Sequence, residues 1–205
     1  MYIQMGRRYK TTSGLQKLKN DVSKMKRLFK KPEVKQSMIV SSGNISTSGA
    51  IYQIGNIAQG VAHDQRIGNE VELLSSSLRY MWALADTGYN NARLAIIRTR
   101  EPLATLSDAF ETTSYGTFGG VYASWDYDIV QKVYYDKNTT LNQLVSGARR
   151  QVFTKKFVKH PMELKFDTNL PTSQLDNLYV VVVSDSSISP HPSLNLVVRS
   201  RFSDV

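Results

Sequence analysis

From Gln36 to the C-terminus, apolar residues recur at every second position over one short segment after another, and this alternation limits the fold more than any other feature of the chain. In ELLSSSLRYMWAL (72–84), Leu74, Ser76, Leu78, Tyr80, Trp82 and Leu84 share one parity, while Ser75, Ser77 and Arg79 take the other. A period of two sends successive side chains to opposite faces of a strand, so one face is buried and the other wet. Similar segments follow at NARLAIIRTRE (91–101), DIVQKVYYD (128–136), RQVFTKKFV (150–158), NLYVVVVSD (177–185) and SLNLVVRSRF (193–202). Shorter ones stand at SMIV (37–40) and AIYQIGN (50–56), and turn-rich linkers such as SSGNISTSG, ADTGYNN and SISPHPS separate them. The pattern predicts seven or eight strands.

Two stretches interrupt it. TLSDAF (105–110) offers Thr105 as an N-cap with Asp108 in the first turn, and TLNQLVSG (140–147) is compatible with a helical turn. Neither is long enough for a crossover between parallel strands, so the sheets should be antiparallel. GTFGG (116–120) lacks the lysine and the following helix of a phosphate loop and reads as a flexible connection. Few, uneven connections in an all-β chain point to a sandwich or jelly roll rather than an even up-and-down barrel.

The N-terminal region follows another rule. In SGLQKLKNDVSKMKRLFKKP (13–32), Leu15, Leu18, Val22, Met25 and Phe29 recur at steps of three and four among seven basic residues, which predicts an amphipathic helix near 13–31 that ends before Pro32. Residues 1–36 hold 11 Lys+Arg against Asp21 and Glu33, whereas residues 37–205 hold 15 basic and 15 acidic residues. The whole formal excess of +9 therefore sits in the arm. A neutral body behind a cationic leader is the footprint of a protein that handles a polyanion, because Lys and Arg neutralise phosphates and release counterions. The candidate nucleic-acid contacts are Arg7, Arg8, Lys10, Lys17, Lys19, Lys24, Lys26, Arg27, Lys30 and Lys31. A membrane-surface helix, a calmodulin-type target and a self-associating helix remain open for the same stretch. The boundary falls between an arm, 1–36, and a body, 37–205.

Motifs for catalysis are lacking. His63, His160 and His191 are far apart and none has a partner at metal-ligand spacing; GxSxG, GxGxxG and a phosphate-binding GK[ST] do not occur. Asp126 and Asp128 flank Tyr127, and in a strand they would share a face, where they could hold calcium, act on protons, or simply be a solvated edge. The cluster Arg149, Arg150, Lys155, Lys156 and Lys159 fits either a phosphate-binding surface or the open face of a strand. A sugar-binding or hydrolytic domain would need a clustered aromatic and carboxylate cleft, for which the sequence carries no signal. No enzyme activity and no cofactor are expected. Without cysteine the chain can have neither disulfides nor thiolate metal sites, which suits a reducing compartment. No run approaches a membrane span, and MYIQMGRRYK lacks the apolar core of a secretory signal.

The unit running from SMIV through AIYQIGN, IAQG (57–60), four residues, QR (65–66) and IGNEV (67–71) into the long alternating strand resembles the capsid proteins of satellite tobacco necrosis virus and its relatives, and those of small circular Rep-encoding single-stranded DNA viruses. The likeness extends through ARLAIIRTREP, TLSDAF, VYYDKNTTL and the last two strands, nearly all of 37–205. It implies a single eight-stranded antiparallel jelly roll with a basic N-terminal helical arm, assembling as a homo-oligomer of sixty copies around a single-stranded RNA or DNA genome. The virion, assembled inside the host cell, would be its location; a host receptor is implied but not named, and no stable membrane insertion is expected. In such shells three arm helices meet at each threefold axis. Leu15, Val22 and Phe29 would then occupy a positions and Leu18 and Met25 d positions, with Asp21 at g and Lys26 at e. Calcium is not carried over: the loop that holds it in the satellite capsids is VAHD (61–64) here, with Asp64 as its only carboxylate.

Overall fold

The computed structural model describes residues 14–29, 33–84, 89–141, 150–158, 162–166 and 177–204. The chain divides into two units, Met1–Glu33 and Val34–Val205. In the first, one helix, α1, spans Gly14–Phe29.

Among the described residues of the second unit, nine strand segments form two antiparallel sheets: β1 (Val34–Asn44), β2 (Ala50–Gln53), β3 (Glu70–Ala83), β4 (Asn90–Thr99), β5 (Val130–Leu141), β6 (Arg150–Val158), β7 (Met162–Lys165), β8 (Asn177–Ser184) and β9 (Ser193–Asp204). One sheet runs β1-β9-β3-β6, with β7 also on β3; the other runs β2-β8-β4-β5. β6 pairs with Ser76–Ala83 and β7 with Glu70–Leu73, so the two are consecutive pieces of one strand position, which makes eight positions in all. The pairs β1·β9, β2·β8, β3·β6/β7 and β4·β5 form a nested antiparallel hairpin, and β3·β9 and β4·β8 roll it into two sheets. That is a jelly roll.

The main core lies between the sheets: Leu78, Tyr80, Trp82, Leu194, Leu196, Val198 and Phe202 from one side meet Ala92, Leu94, Ile96, Leu178, Val180 and Val182 from the other. Each large side chain buried there is worth roughly 2 kcal/mol of apolar transfer. Alternation predicts this face from Ser76 to Trp82. It fails at Leu74: a bulge between Leu73 and Ser75 switches the parity, so Val71 and Leu73, not Leu74, point into the core before it.

A second core covers the outer face of the β2-β8-β4-β5 sheet. The segment between β4 and β5 folds over it, placing Leu103, Leu106, Ala109, Phe110, Val121, Ala123 and Trp125 against Ala95, Ile97, Tyr179, Val181 and Val183. This is why β8 is buried on both faces and reads VVVV rather than alternating. The TLSDAF turn forms as expected: a short 3₁₀ helix at Leu106–Ala109 follows Thr105, whose N–H donates to Asp108 Oδ2 at 2.8 Å. GTFGG is not a flexible connection. It belongs to α2 (Thr112–Tyr122), kinked at Gly119, where φ is +65°. At Gly120 the backbone approaches the sheet so closely that a Cβ would lie 3.1 Å from Val183. In the TLNQLVSG stretch, Thr140 and Leu141 end β5, and residues 142–147 lie outside the described residues.

The block that carries the capsid resemblance has a structural reason for its residues. Arg66 is fully buried; its Nε donates to Ile57 O (3.2 Å), its Nη1 to Gly68 O and to Asn69 Oδ1 (3.1 Å), and the guanidinium lies 4.0 Å over the Phe166 ring. Burial lowers its pKa, partly opposed by the Asp204 charge. Gln65 closes the turn by accepting the Ala62 N–H, and its carbonyl receives Lys35 Nζ (3.0 Å), which also pairs with Asp204 at 2.8 Å. The QR pair thus ties the 54–69 loop to β1 and β9.

Candidate nucleic-acid interface

α1 forms because its apolar residues keep a helical step while most of its other positions are filled by Lys, Gln and Arg, residues that lose little rotamer freedom in a helix. Lys17, Lys19 and Lys24 are exposed on it, as is Asp21. Leu18, Val22 and Met25 are 67%, 39% and 50% exposed, so the apolar edge of the helix is open. Leu15, Lys26, Arg27 and Phe29 take positions in the same helix. Arg7, Arg8, Lys10, Lys30 and Lys31 lie outside the described residues.

The body has a second cationic surface that the sequence reading did not single out. On the open face of the β1-β9-β3 sheet, Arg199 stands opposite Ser77 and Met38, Arg201 opposite Ser75 and Gln36, and Arg79 opposite Val197. All three arginines are exposed, and none forms an ion pair among the described residues. Ser77, Leu78, Arg79, Val197 and Arg199 line a shallow depression of about 150 Å³. The i, i+2 spacing of Arg199 and Arg201 in LVVRSRF is the signal for it, since period two puts both on one face. Guanidiniums in a row offer planar, two-pronged hydrogen bonding to phosphate without reading bases.

Of the five-residue basic cluster, Arg150, Lys155 and Lys156 lie in β6, whose backbone runs beside β3, with Lys156 opposite Ser77; Arg149 and Lys159 lie outside the described residues.

The other candidates do not come together. Asp126 and Asp128 are in a turn, not a strand, and the Asp128 N–H donates to Asp126 Oδ1 at 2.9 Å, so they do not share a strand face. His191 Nδ1 lies 3.1 Å from Ser186 Oγ, His63 and Asp64 are exposed in a turn, and His160 lies outside the described residues. Among the described residues no three His, Asp or Glu side chains gather as metal ligands, and no helix is long and apolar enough to cross a membrane.

The fold and this surface define an all-β jelly-roll protein with a cationic helix ahead of its first strand. No protein-family model matches the chain, and no curated protein does. Among solved structures it is similar to one of Desmodium yellow mottle tymovirus, at 10% identity over 84% of this chain and 88% of that one, with a TM-score of 0.41. A structure of infectious bursal disease virus Gx strain matches at 10% identity over 85% of this chain and 37% of that one, with a TM-score of 0.21.

Proposed function

We propose that this is a viral coat protein whose jelly roll assembles into a closed shell of sixty copies and whose basic arm packages a small single-stranded genome. What supports this reading most is the segregation of charge: residues 1–33 hold ten Lys+Arg against Asp21 and Glu33, a net +8, ahead of a jelly roll that from Val34 onward is only +1, and this leading segment carries a helix whose apolar edge is open. Division of the chain into a genome-binding arm, 1–36, and a shell domain, 37–205, follows from it. Arg7, Arg8, Lys10, Lys17, Lys19, Lys24, Lys26, Arg27, Lys30 and Lys31 bind phosphate, and Leu15, Leu18, Val22, Met25 and Phe29 pack three arms together. A helix this short is marginal alone in water, but a shell holds three copies at high local concentration and the genome screens their lysines. The protein acts in the virion, as a structural component and not an enzyme.

Size-exclusion chromatography with light scattering tests it. The full chain should elute as megadalton particles that carry nucleic acid, and a chain lacking residues 1–31 should still assemble but emerge free of nucleic acid. A stable monomer at every salt concentration would overturn the shell.

The Arg79, Arg199 and Arg201 face favours a second reading, a non-viral nucleic-acid-binding β-domain with a basic tail. Such a protein binds as a monomer and never forms particles, which the same column distinguishes.

A further inference from the structure

A cleft on the β4–β5 segment has the composition of a sugar site. It is about 490 Å³ and is lined by Ser107, Asp108, Phe110, Thr112, Tyr115, Gly116, Asp126 and Ile129. That volume is within the roughly 300–1,000 Å³ typical of small-molecule sites. One wall presents a single partly exposed ring, Tyr115, backed by a buried stack: Tyr115 on Phe110 with centroids 5.6 Å apart, and Phe110 on Trp125 at 4.7 Å. The stack is held from behind by Arg93, whose guanidinium lies 4.3 Å over the Trp125 ring and whose Nη1 donates to the carbonyls of Gly120 and Ala123.

The polar groups are held in place as well. Asp108 accepts the Thr105 N–H and hydroxyl at 2.8 and 2.9 Å, which keeps its carboxyl pKa below the usual value and the group ionised. Asp126 Oδ1 accepts the Asp128 N–H, and Oδ2 is the oxygen left to a ligand. The Ser107 and Thr112 hydroxyls can both donate and accept.

We infer that this cleft binds a neutral sugar ring, with its C–H face on the Tyr115 ring and neighbouring hydroxyls donating to Asp108 and Asp126. A metal ion would lack ligands, since among the described residues no third carboxylate or histidine joins these two. An amine would use the carboxylates and leave the Ser107 and Thr112 hydroxyls and the apolar Ile129 and Phe110 without a role. Sulfated or sialylated glycans are repelled by two fixed negative charges. All of these residues belong to one chain, so the site does not depend on the coat-protein reading or on assembly.

Two substitutions separate binding from folding. Gly116 lines the cleft, and a Cβ added there meets nothing within 4 Å, so Gly116→Leu adds bulk at the cleft from a position with room for a side chain. Asp126→Asn keeps an oxygen for the Asp128 N–H and removes the charge. Saturation-transfer NMR of the full chain with the methyl glycosides of glucose, galactose, mannose and N-acetylglucosamine should find at least one that binds with a dissociation constant on the order of 1 mM. Both variants, with unchanged circular dichroism, should weaken it by about tenfold or more, one hydrogen-bonded charge being worth that much. The inference fails if none of the four binds, if spermidine or a sulfated glycan is taken instead, or if Gly116→Leu binds as well as the parent.

Discussion

Arg93 and Asp136 meet in a two-point ion pair, Nε to Oδ1 at 2.8 Å and Nη2 to Oδ2 at 2.6 Å, with the arginine side chain 9% and the carboxylate 31% exposed. The pair joins β4 to β5 directly beneath the segment that connects them. Asp136 Oδ2 also accepts Trp125 Nε1 at 2.8 Å, and Arg93 holds two carbonyls of the α2 end. Removing the arginine strands both carbonyls and leaves Asp136 with the Trp125 N–H alone among these donors. Arg93→Ala should cost about 3 kcal/mol in urea denaturation, because a half-buried carboxylate is left unpaired. Arg93→Lys should recover less than half of it, since an ammonium cannot span both oxygens and two carbonyls. Equal stability of all three proteins would show that the second core holds the segment without the latch.

How much of this was readable beforehand depends on where one face of an element stays wet. β3 from Ser76 to Trp82 and β9 alternate cleanly, since their outer face is open, and there the core face was legible. β8 carries no such signal because the Phe110–Trp125 cluster buries its second face, and that contact comes from residues some sixty positions away. The bulge at Leu73/Ser75 changes parity without a Gly or Pro to mark it. β7 is four residues of MELK with two charges and was missed, and α2 was missed because TTSYGTFGGVY has no helical stripe and three glycines. As for function, the arm announces itself by charge. The cleft does not, because Asp108, Tyr115 and Asp126 become neighbours only after the segment folds over the sheet.

Acid should weaken the TLSDAF turn. The Asp108 carboxyl is held below the ordinary carboxylate range, chiefly by the Thr105 N–H and then by its hydroxyl. A depressed folded-state pKa means the contribution is present above the unfolded pKa and disappears as pH falls through the folded one. Asp108→Ala should therefore be less stable than the parent at pH 7, by a modest amount of about 0.5 kcal/mol for so solvated a group. The gap should close as pH falls through and below the usual Asp range. A gap that stays constant from pH 7 to pH 2 would mean the charge is irrelevant to the cap.

Arm and sheet face should differ in how salt weakens binding. For single strands, the logarithm of affinity falls against the logarithm of salt by about 0.7 per phosphate neutralised. Lys17→Gln, Lys19→Gln and Lys24→Gln together should lower that slope by about 2 in fluorescence anisotropy with a thirty-nucleotide oligothymidine, provided each lysine holds one phosphate. If the exposed Arg79, Arg199 and Arg201 also meet the strand, their triple Gln variant lowers it similarly. A variant that loses affinity for one oligonucleotide sequence but not another would instead mean that bases are read.

The open edge of α1 offers the sharpest test of arm association. Leu18, Val22 and Met25 lie on one side of a sixteen-residue helix and remain largely exposed, an arrangement that gains little for a lone chain. If three copies bury that edge together, Val22→Asp places a charge in the seam of every bundle, whereas Val22→Leu preserves it. The charge of the arm falls by one, so affinity for an oligonucleotide should drop only slightly. The jelly roll, a separate unit beginning at Val34, should melt unchanged. Particles should still close in light scattering, as those of the chain lacking residues 1–31 do, but the helical dichroism gained on assembly should be lost. Val22→Asp particles identical to the parent in size and dichroism would show that the helices do not meet, leaving the arm as a solvated chain of charges.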